Sequence, residues 1–131
     1  MRVLLDTHAL VWYANGDTQL SLALGQQLDD PQTTCLVSVV SFWELATLVN
    51  LGRIELLLDL ATWLSAVRAM GLRVLEIEDK HLLQYAALPA VKDHRDPFDR
   101  LLIAQALSEN LTLVSRDGKF GGYAGLQLRW A

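Results

Sequence analysis

Two aspartates stand three positions apart in the segment HRDPFDRLLIAQA, residues 94–106, just before a run that is almost wholly apolar. On a helix, Asp96 and Asp99 would lie about one turn apart on the same side, where like charges repel each other. Helix capping is one explanation, because Asp96 can serve as the N-cap with Pro97 in the first helical position. Binding of a metal ion is the other explanation, and the remaining carboxylates bear on the choice.

Two further aspartates follow predicted strands. Asp6 comes directly after the apolar segment RVLL, and Asp117 follows LTLVS with one residue in between. Each has a purely structural alternative, since Asp6 can cap the helix that follows, and Asp117 with Gly118 is a favourable turn pair. Neither residue decides between structure and chemistry when it is considered alone.

Glu44 is the acid that capping explains least. It is the only charged residue in VVSFWELATLV, residues 39–49, and it stands in the middle of a predicted helix. A buried lone carboxylate is strongly unfavourable unless it is paired or bound to a metal. The alternative is that the Glu44 side chain points at solvent.

Considered together, the acids favour a metal site. Carboxylates without a matching cluster of cysteines or histidines are typical ligands of hard cations such as Mg²⁺ or Mn²⁺. The histidines are scattered at positions 8, 81 and 94, so zinc is not favoured. The candidate metal ligands are Asp6, Glu44, Asp96, Asp99 and Asp117.

Strands and helices alternate along the chain. The hydrophobic pattern predicts strands at 2–5, 33–38, 72–77, 111–115 and 126–130, and helices at 7–15, 21–30, 40–52, 59–71, 78–88 and 96–110. This alternation predicts a single α/β domain over residues 1–131, with a mostly parallel sheet between layers of helices. Because ligands collect at the carboxyl ends of such strands, we expect Asp6 and Asp117 to meet there on neighbouring strands.

The composition excludes several classes of protein. Hydrophobic residues make up 52% of the chain and charged residues 20%, which indicates a packed core and not disorder. The net charge of −4 argues against nucleic-acid binding through bulk positive charge, although a nuclease whose acids bind cations is compatible with it. No segment has the form of a signal peptide or a membrane span, and the single cysteine cannot form an internal disulfide, so we expect a cytoplasmic protein.

Four segments resemble one known family. They are LLDTHALVW, SVVSFWELATLVNLGRI, HRDPFDRLLIAQAL and LVSRDGKFGGY, and they occur in the family's order over nearly the whole chain. By these segments the protein resembles the PIN-domain ribonucleases, specifically the VapC-type toxins of toxin–antitoxin modules. The resemblance implies a PIN-like three-layer α/β/α fold with four to five strands. It also implies an endoribonuclease that depends on Mg²⁺ or Mn²⁺.

The resemblance also assigns roles to residues. Asp6, Glu44, Asp99 and Asp117 match the family's metal-binding quartet, Asp96 matches a further acid of this subgroup, and Ser115 matches a small hydroxyl residue before the last acid. These six are the candidate catalytic residues. RNA as the substrate, a homodimer, and inhibition by an antitoxin whose C-terminal segment lies in a groove are likewise implied by the resemblance. Asn50 departs from the pattern, because a basic residue is common there.

Basic and aromatic residues near the acids suggest contacts with other molecules. The candidates for contact with RNA phosphates are Arg95, Arg100, Arg116 and Lys119, which flank the acids closely in sequence. Trp12 and Trp43 lie on predicted helices rich in leucine and valine, where they serve either as core or as a docking surface.

Three other functions compete with the nuclease. A receiver domain with an acidic Mg²⁺ pocket and a phosphorylated aspartate requires a lysine after its last strand, and LQLRWA has none. A phosphatase of the haloacid dehalogenase type requires an aspartate two positions after the first one, where this chain has His8. A non-catalytic module would not need acids at every quartet position. Cleavage of labelled RNA with Mg²⁺ and with EDTA distinguishes all three from the nuclease.

Overall fold

A five-stranded sheet forms the centre of the computed structural model, which describes residues 1–130. The strands are β1 (Arg2–Leu5), β2 (Thr34–Ser38), β3 (Arg73–Leu75), β4 (Thr112–Val114) and β5 (Gln127–Arg129). Their order across the sheet is β3-β2-β1-β4-β5, and every neighbouring pair is parallel. The predicted fold class and strand number are therefore confirmed.

Six α-helices connect the strands, and a short 3₁₀ turn at Gly118–Gly122 precedes β5. The helices are α1 (Thr7–Asn15), α2 (Leu22–Asp29), α3 (Val39–Asn50), α4 (Leu60–Arg68), α5 (Asp79–Ala86) and α6 (Pro97–Glu109). Several begin at side-chain caps, for example Ser21, which accepts from the Leu24 amide, and Asp59, which accepts from the Thr62 amide. The prediction for α4 ran three residues too far, to Gly71, because the chain leaves the helix at the cap residue Ala69.

Alternate residues of the central strands separate two apolar cores. Val3 and Leu5 face a core that includes residues of α1, α2, α3 and α4, whereas Leu4 faces a core formed mainly by α6 and the segment after β4. All three side chains are completely buried. The two cores on opposite faces of the sheet account for the three-layer α/β/α architecture.

The order of the strands reverses at β1, which lies between β2 and β4. The chain therefore builds the sheet outwards from β1 in both directions. Where the strand order reverses in this way, a crevice opens at the carboxyl ends of the strands, and such crevices bind ligands. The Asp6 backbone N–H donates to the Val114 carbonyl oxygen at 3.1 Å, so Asp6 sits beside the end of β4. The prediction that Asp6 and Asp117 follow neighbouring parallel strands is confirmed. Within residues 1–130, no helix is both long enough and apolar enough to cross a membrane.

Candidate active site

The carboxyl edge of the sheet carries an acidic cleft of about 370 Å³. Asp6 reaches it from the end of β1, Asp117 from the segment after β4, and Glu44 from the middle of α3. Asp96 and Asp99 enter from the start of α6. All five acids proposed from the sequence thus line one cleft, which we call the acidic cleft.

Asp6 is buried and is held in place by its own helix. As the N-cap of α1 it accepts a hydrogen bond from the Ala9 amide at 2.8 Å. Burial raises the pKa of Asp6, while a hydrogen bond from Ser115 opposes that rise. The Ser115 hydroxyl oxygen accepts from the Asp117 amide at 3.0 Å, so its proton is free to be donated to Asp6. Ser115 therefore links the two strand-end acids.

Glu44 is turned towards the cleft and does not point at open solvent. Its Oε1 accepts a hydrogen bond from the Thr7 hydroxyl at 2.5 Å, and the side chain is half-buried. Burial is the main cause that raises the pKa of Glu44, and the charges of Asp96 and Asp6 raise it further. One turn earlier on α3, the Ser41 hydroxyl is buried and has no hydrogen-bond partner within residues 1–130.

Asp96 caps a helix and also lies close to two other acids of the cleft. Its Oδ1 accepts from the amides of Phe98, at 2.9 Å, and Asp99, at 3.1 Å, so it is the N-cap of α6. In addition, one carboxylate oxygen from each of Glu44, Asp96 and Asp99 lies within 4.8 Å of the others. Capping and membership in the acidic cluster are therefore compatible.

Asp99 is the most perturbed of these acids. Burial and then the charges of Asp96, Glu44, Asp6 and Asp117 raise the pKa of Asp99 to about 8. At neutral pH the metal-free cleft therefore favours a proton on Asp99, which lowers the repulsion among the carboxylates. A divalent cation would remove the same repulsion, and a donor set of carboxylate oxygens suits a hard cation. The residues present thus fit the kind of ion that the sequence suggested.

The four basic candidates do not occupy equivalent positions. Arg95 and Lys119 line the acidic cleft. Arg116 lines an adjoining cavity of about 240 Å³, with its guanidinium carbon 4.5 Å from the centre of the Trp12 ring. Arg100 lies behind the cleft, where it donates to the Pro89 carbonyl oxygen and to the Tyr123 hydroxyl.

Sequence reasoning did not single out His8, Asp93, His94 and Phe120, which line the cleft, or Thr7, which contacts Glu44. Thr7 gave no signal, because a threonine near the end of a strand follows no distinctive pattern. Its hydroxyl nevertheless donates a hydrogen bond to the Glu44 carboxylate. His94 was treated as one of three scattered histidines. It is buried, and its Nε2 lies 3.2 Å from the Asp99 Oδ2. Its only signal was its place at the head of the HRDPFD block.

A second cluster of titratable groups lies away from the cleft. His81, Glu78 and Glu109 have potential ligand atoms within 4.8 Å of one another. The His81 Nδ1 accepts from the Glu78 amide, however, and Glu109 is paired with His81 Nε2 and with Lys80. These groups satisfy one another and join α5 to α6, which is a structural role.

Comparison with known proteins identifies the family. The family model of the PIN domain matches residues 3–126, which is nearly the whole chain. The chain belongs to the PIN domain family. A relative of this PIN domain is Ribonuclease VapC22 from Mycobacterium tuberculosis, which is 32% identical over 115 residues, or 88% of this chain and 86% of the relative.

Solved structures support the same fold. VapBC2 from Rickettsia felis, bound to a DNA fragment from its promoter, has a TM-score of 0.73 and 19% sequence identity, with all of both chains covered. VapBC-5 from Mycobacterium tuberculosis, a member of the VapBC family of toxin–antitoxin systems, has a TM-score of 0.65 and 22% identity, with 99% of this chain and 98% of that chain covered. At these identities the likeness concerns the fold of the PIN domain.

Proposed function

We propose that this PIN domain is a metal-dependent endoribonuclease and the toxin of a toxin–antitoxin module. The observation that carries the proposal is the meeting of five carboxylates from β1, α3, α6 and the end of β4 in one cleft. The relative named Ribonuclease VapC22 supports the activity, and the similarity covers most of both chains. The related VapBC complexes support the assignment to a toxin–antitoxin module.

The acids would hold Mg²⁺ or Mn²⁺, with Asp6, Glu44, Asp99 and Asp117 as the principal ligands and Asp96 beside them. When bound, such an ion makes a water molecule a better nucleophile and neutralises charge on the phosphate oxygens. The residues of this chain prepare the site: Ser115 orients Asp6, and Thr7 orients Glu44. Asp99 must release its proton for the quartet to be fully charged, because its pKa is raised to about 8.

The RNA strand would be held by local positive charge, since the net charge of the chain is −4. Arg95 and Lys119 are placed to contact the phosphate at the cleft, and Arg116 the neighbouring phosphate. Arg100 is committed to the Pro89 carbonyl and to Tyr123, so we expect it to contribute least to phosphate binding. The preference for RNA over DNA rests on the named relative.

We further propose that an antitoxin segment binds beside α1 and α2 and that the toxin is a cytoplasmic homodimer. A groove of about 290 Å³ there is lined by apolar residues including Trp12, Leu20, Leu22 and Met70. Trp12 also lines the cavity that contains Asp6 and Asp117, so a segment in the groove can reach the acids. An arginine on that segment would pair with the carboxylates and block the cleft.

The test is cleavage of labelled RNA by the purified chain with Mg²⁺, with Mn²⁺ and with EDTA. We expect internal cuts with either metal and none with EDTA, and no comparable cleavage of DNA of the same sequence. Host RNA should be the first substrate, with the cut ends mapped, because the target sequence is not known in advance. Metal-independent cleavage, or no cleavage of any host RNA, would contradict the proposal.

A further inference from the structure

A chain of hydrogen bonds runs from Arg100 to Asp99 through two buried side chains. The Arg100 guanidinium donates to the Tyr123 hydroxyl at 2.9 Å, and this hydroxyl lies 2.8 Å from the His94 Nδ1. The His94 Nε2 then lies 3.2 Å from the Asp99 Oδ2. His94 and Tyr123 are only 2% and 4% exposed, so water does not compete strongly for these groups.

The partners of the Tyr123 hydroxyl give this chain a direction. An arginine has no acceptor, so the Tyr123 oxygen accepts from Arg100, and the Tyr123 proton is left for the His94 Nδ1, the other polar atom within hydrogen-bond distance of that hydroxyl among residues 1–130. The His94 Nδ1 is then the acceptor, which places the imidazole proton on Nε2 in the neutral ring. That proton faces Asp99, and the chain ends on one carboxylate oxygen.

Several contacts fix the members of the chain. Arg100 also donates to the Pro89 carbonyl at 3.0 Å and lies over the rings of Tyr85 and Tyr123. The His94 ring packs edge-on against Phe120, at 5.3 Å, and against Tyr123, at 5.5 Å. The imidazole therefore has little freedom to turn away from Asp99.

We propose that His94 is a positioning residue that orients the Asp99 carboxylate for the metal ion, with Tyr123 and Arg100 fixing its tautomer. The inference rests on the proposed function, since it assumes that Asp99 is a metal ligand. Anchoring one oxygen of a ligating carboxylate leaves the other directed at the cleft, and outer groups of this kind commonly change metal affinity by about 10–100-fold.

His81 provides a matched control inside the same molecule. It is completely buried, its Nδ1 accepts a hydrogen bond from the Glu78 amide at 3.0 Å, and its Nε2 lies 3.0 Å from the Glu109 Oε1. It thus has the same tautomer and the same kind of carboxylate partner as His94. Glu109, however, does not line the acidic cleft.

The test measures Mn²⁺ affinity by calorimetry, without RNA, on the metal-free full chain well below each variant's Tm. We expect His94→Leu to weaken Mn²⁺ binding by about 10–100-fold. His94→Gln can still present an N–H to Asp99 and should retain most of the affinity. Tyr123→Phe keeps the ring but leaves the tautomer unfixed, so it should fall between the two. His81→Leu should lower the Tm and leave the Mn²⁺ affinity unchanged.

The outcomes separate this inference from the proposed function. Wild-type affinity in His94→Leu, or an equal loss in His81→Leu, would overturn the positioning role while the nuclease proposal stands. Failure of the wild-type chain to bind Mn²⁺ would overturn both. If His94→Leu does not fold, Tyr123→Phe decides. An unchanged Mn²⁺ affinity in that variant would overturn the role of the hydrogen-bond chain from Arg100 to Asp99.

Discussion

At the scale of single residues, Asp96 and Asp99 stand three positions apart but make different contacts. Asp96 uses Oδ1 to cap two amides of the first turn of α6, and Asp99 stands behind it, more buried and in contact with His94. The helix N-terminus tolerates this negative charge because its free amides and its dipole are positive. Asp96 therefore caps α6 and lines the cleft, whereas Asp99 lines the cleft and contacts His94.

The first prediction compares Asp99→Asn with Asp96→Asn. We expect Asp99→Asn to lower RNA cleavage by more than about 100-fold, since even groups behind metal ligands cost about 10–100-fold. Asp96→Asn should change stability little, because asparagine caps a helix about as well as aspartate. Its loss of activity, measured beside its Tm, then reports its role in the cleft directly. A dead Asp96→Asn enzyme together with an active Asp99→Asn enzyme would reverse the two roles.

The second prediction concerns pH. In the folded protein the pKa of Asp99 is raised to about 8, far above the 3.8 of a free aspartate side chain. Between these values the folded state keeps a proton that the unfolded state has released, so raising the pH favours unfolding. The metal-free protein should therefore lose stability from about pH 4 to about pH 8, as measured by its urea midpoint at each pH.

Asp99→Asn and Mn²⁺ should both remove much of this pH dependence. The variant has no proton to release at position 99, and the bound ion stabilises the charged carboxylates of the folded state by mass action. Mn²⁺ should accordingly raise the Tm more at pH 8 than at pH 5. An Asp99→Asn variant whose stability falls with pH as steeply as that of the wild-type chain would contradict this explanation.

At the scale of elements, a buried polar clamp joins β2, α6 and the segment between β3 and α5. The Gln105 side chain on α6 accepts from the Ser38 hydroxyl at 2.5 Å and donates to the Glu76 carbonyl at 3.2 Å. Ser38 also accepts from the Val40 amide at the start of α3. Because α3 carries Glu44 and α6 carries Asp99, the clamp fixes the spacing of two elements that form the cleft.

The third prediction is that Gln105→Leu destabilises the fold. The change leaves the Ser38 hydroxyl without its buried partner, and an unsatisfied buried polar group costs about 1–3 kcal/mol. Urea denaturation should show this loss as a lower midpoint. The double variant Ser38→Ala/Gln105→Leu should be less destabilised than the two single changes added together. If the losses of unfolding free energy in the two single variants simply add up in the double variant, the Ser38–Gln105 hydrogen bond does not stabilise the fold.

At the scale of the whole molecule, two surfaces near the cleft carry exposed apolar residues. One, the α3/α5/α6 face, includes Trp43 and Leu82, which are 60% and 51% exposed, with Phe98 packed edge-on against Trp43. The other is the groove beside α1 and α2, where Leu22 is 79% exposed. Large exposed apolar patches mark binding surfaces. The first face is the candidate for the proposed homodimer, and the groove is the candidate site of the proposed antitoxin segment.

The fourth prediction tests this assignment with one charge on each surface. Trp43→Glu should convert the proposed homodimer into a monomer of 14.6 kDa in sedimentation equilibrium, because a buried unpaired charge opposes association. Leu22→Glu should leave the mass of the dimer unchanged. A monomeric wild-type chain, or a dimer lost only in Leu22→Glu, would contradict the assignment of the α3/α5/α6 face.

The sequence by itself determined the elements and the candidate residues of the site. Caps such as Asp6, Ser21, Asp59 and Asp96 were readable because a cap acts on amides only two or three positions away. The strands were readable because their apolar runs are short and bounded by polar or turn-forming residues. The acids were noticed because Glu44 interrupts an apolar helix and the aspartates follow strands or begin α6.

Only the tertiary structure decided how these groups interact. Thr7 and Glu44 are 37 positions apart, and His94 meets Tyr123 across 29 positions, so no local pattern predicts either contact. The raised pKa of Asp99 likewise depends on burial and on charges brought from other parts of the chain. The parallel pairing of β4 with β1, which brings Asp117 near Asp6, is by contrast expected from the alternation of strands and helices. Long-range packing and the exclusion of water therefore turned a set of separate acids into one site.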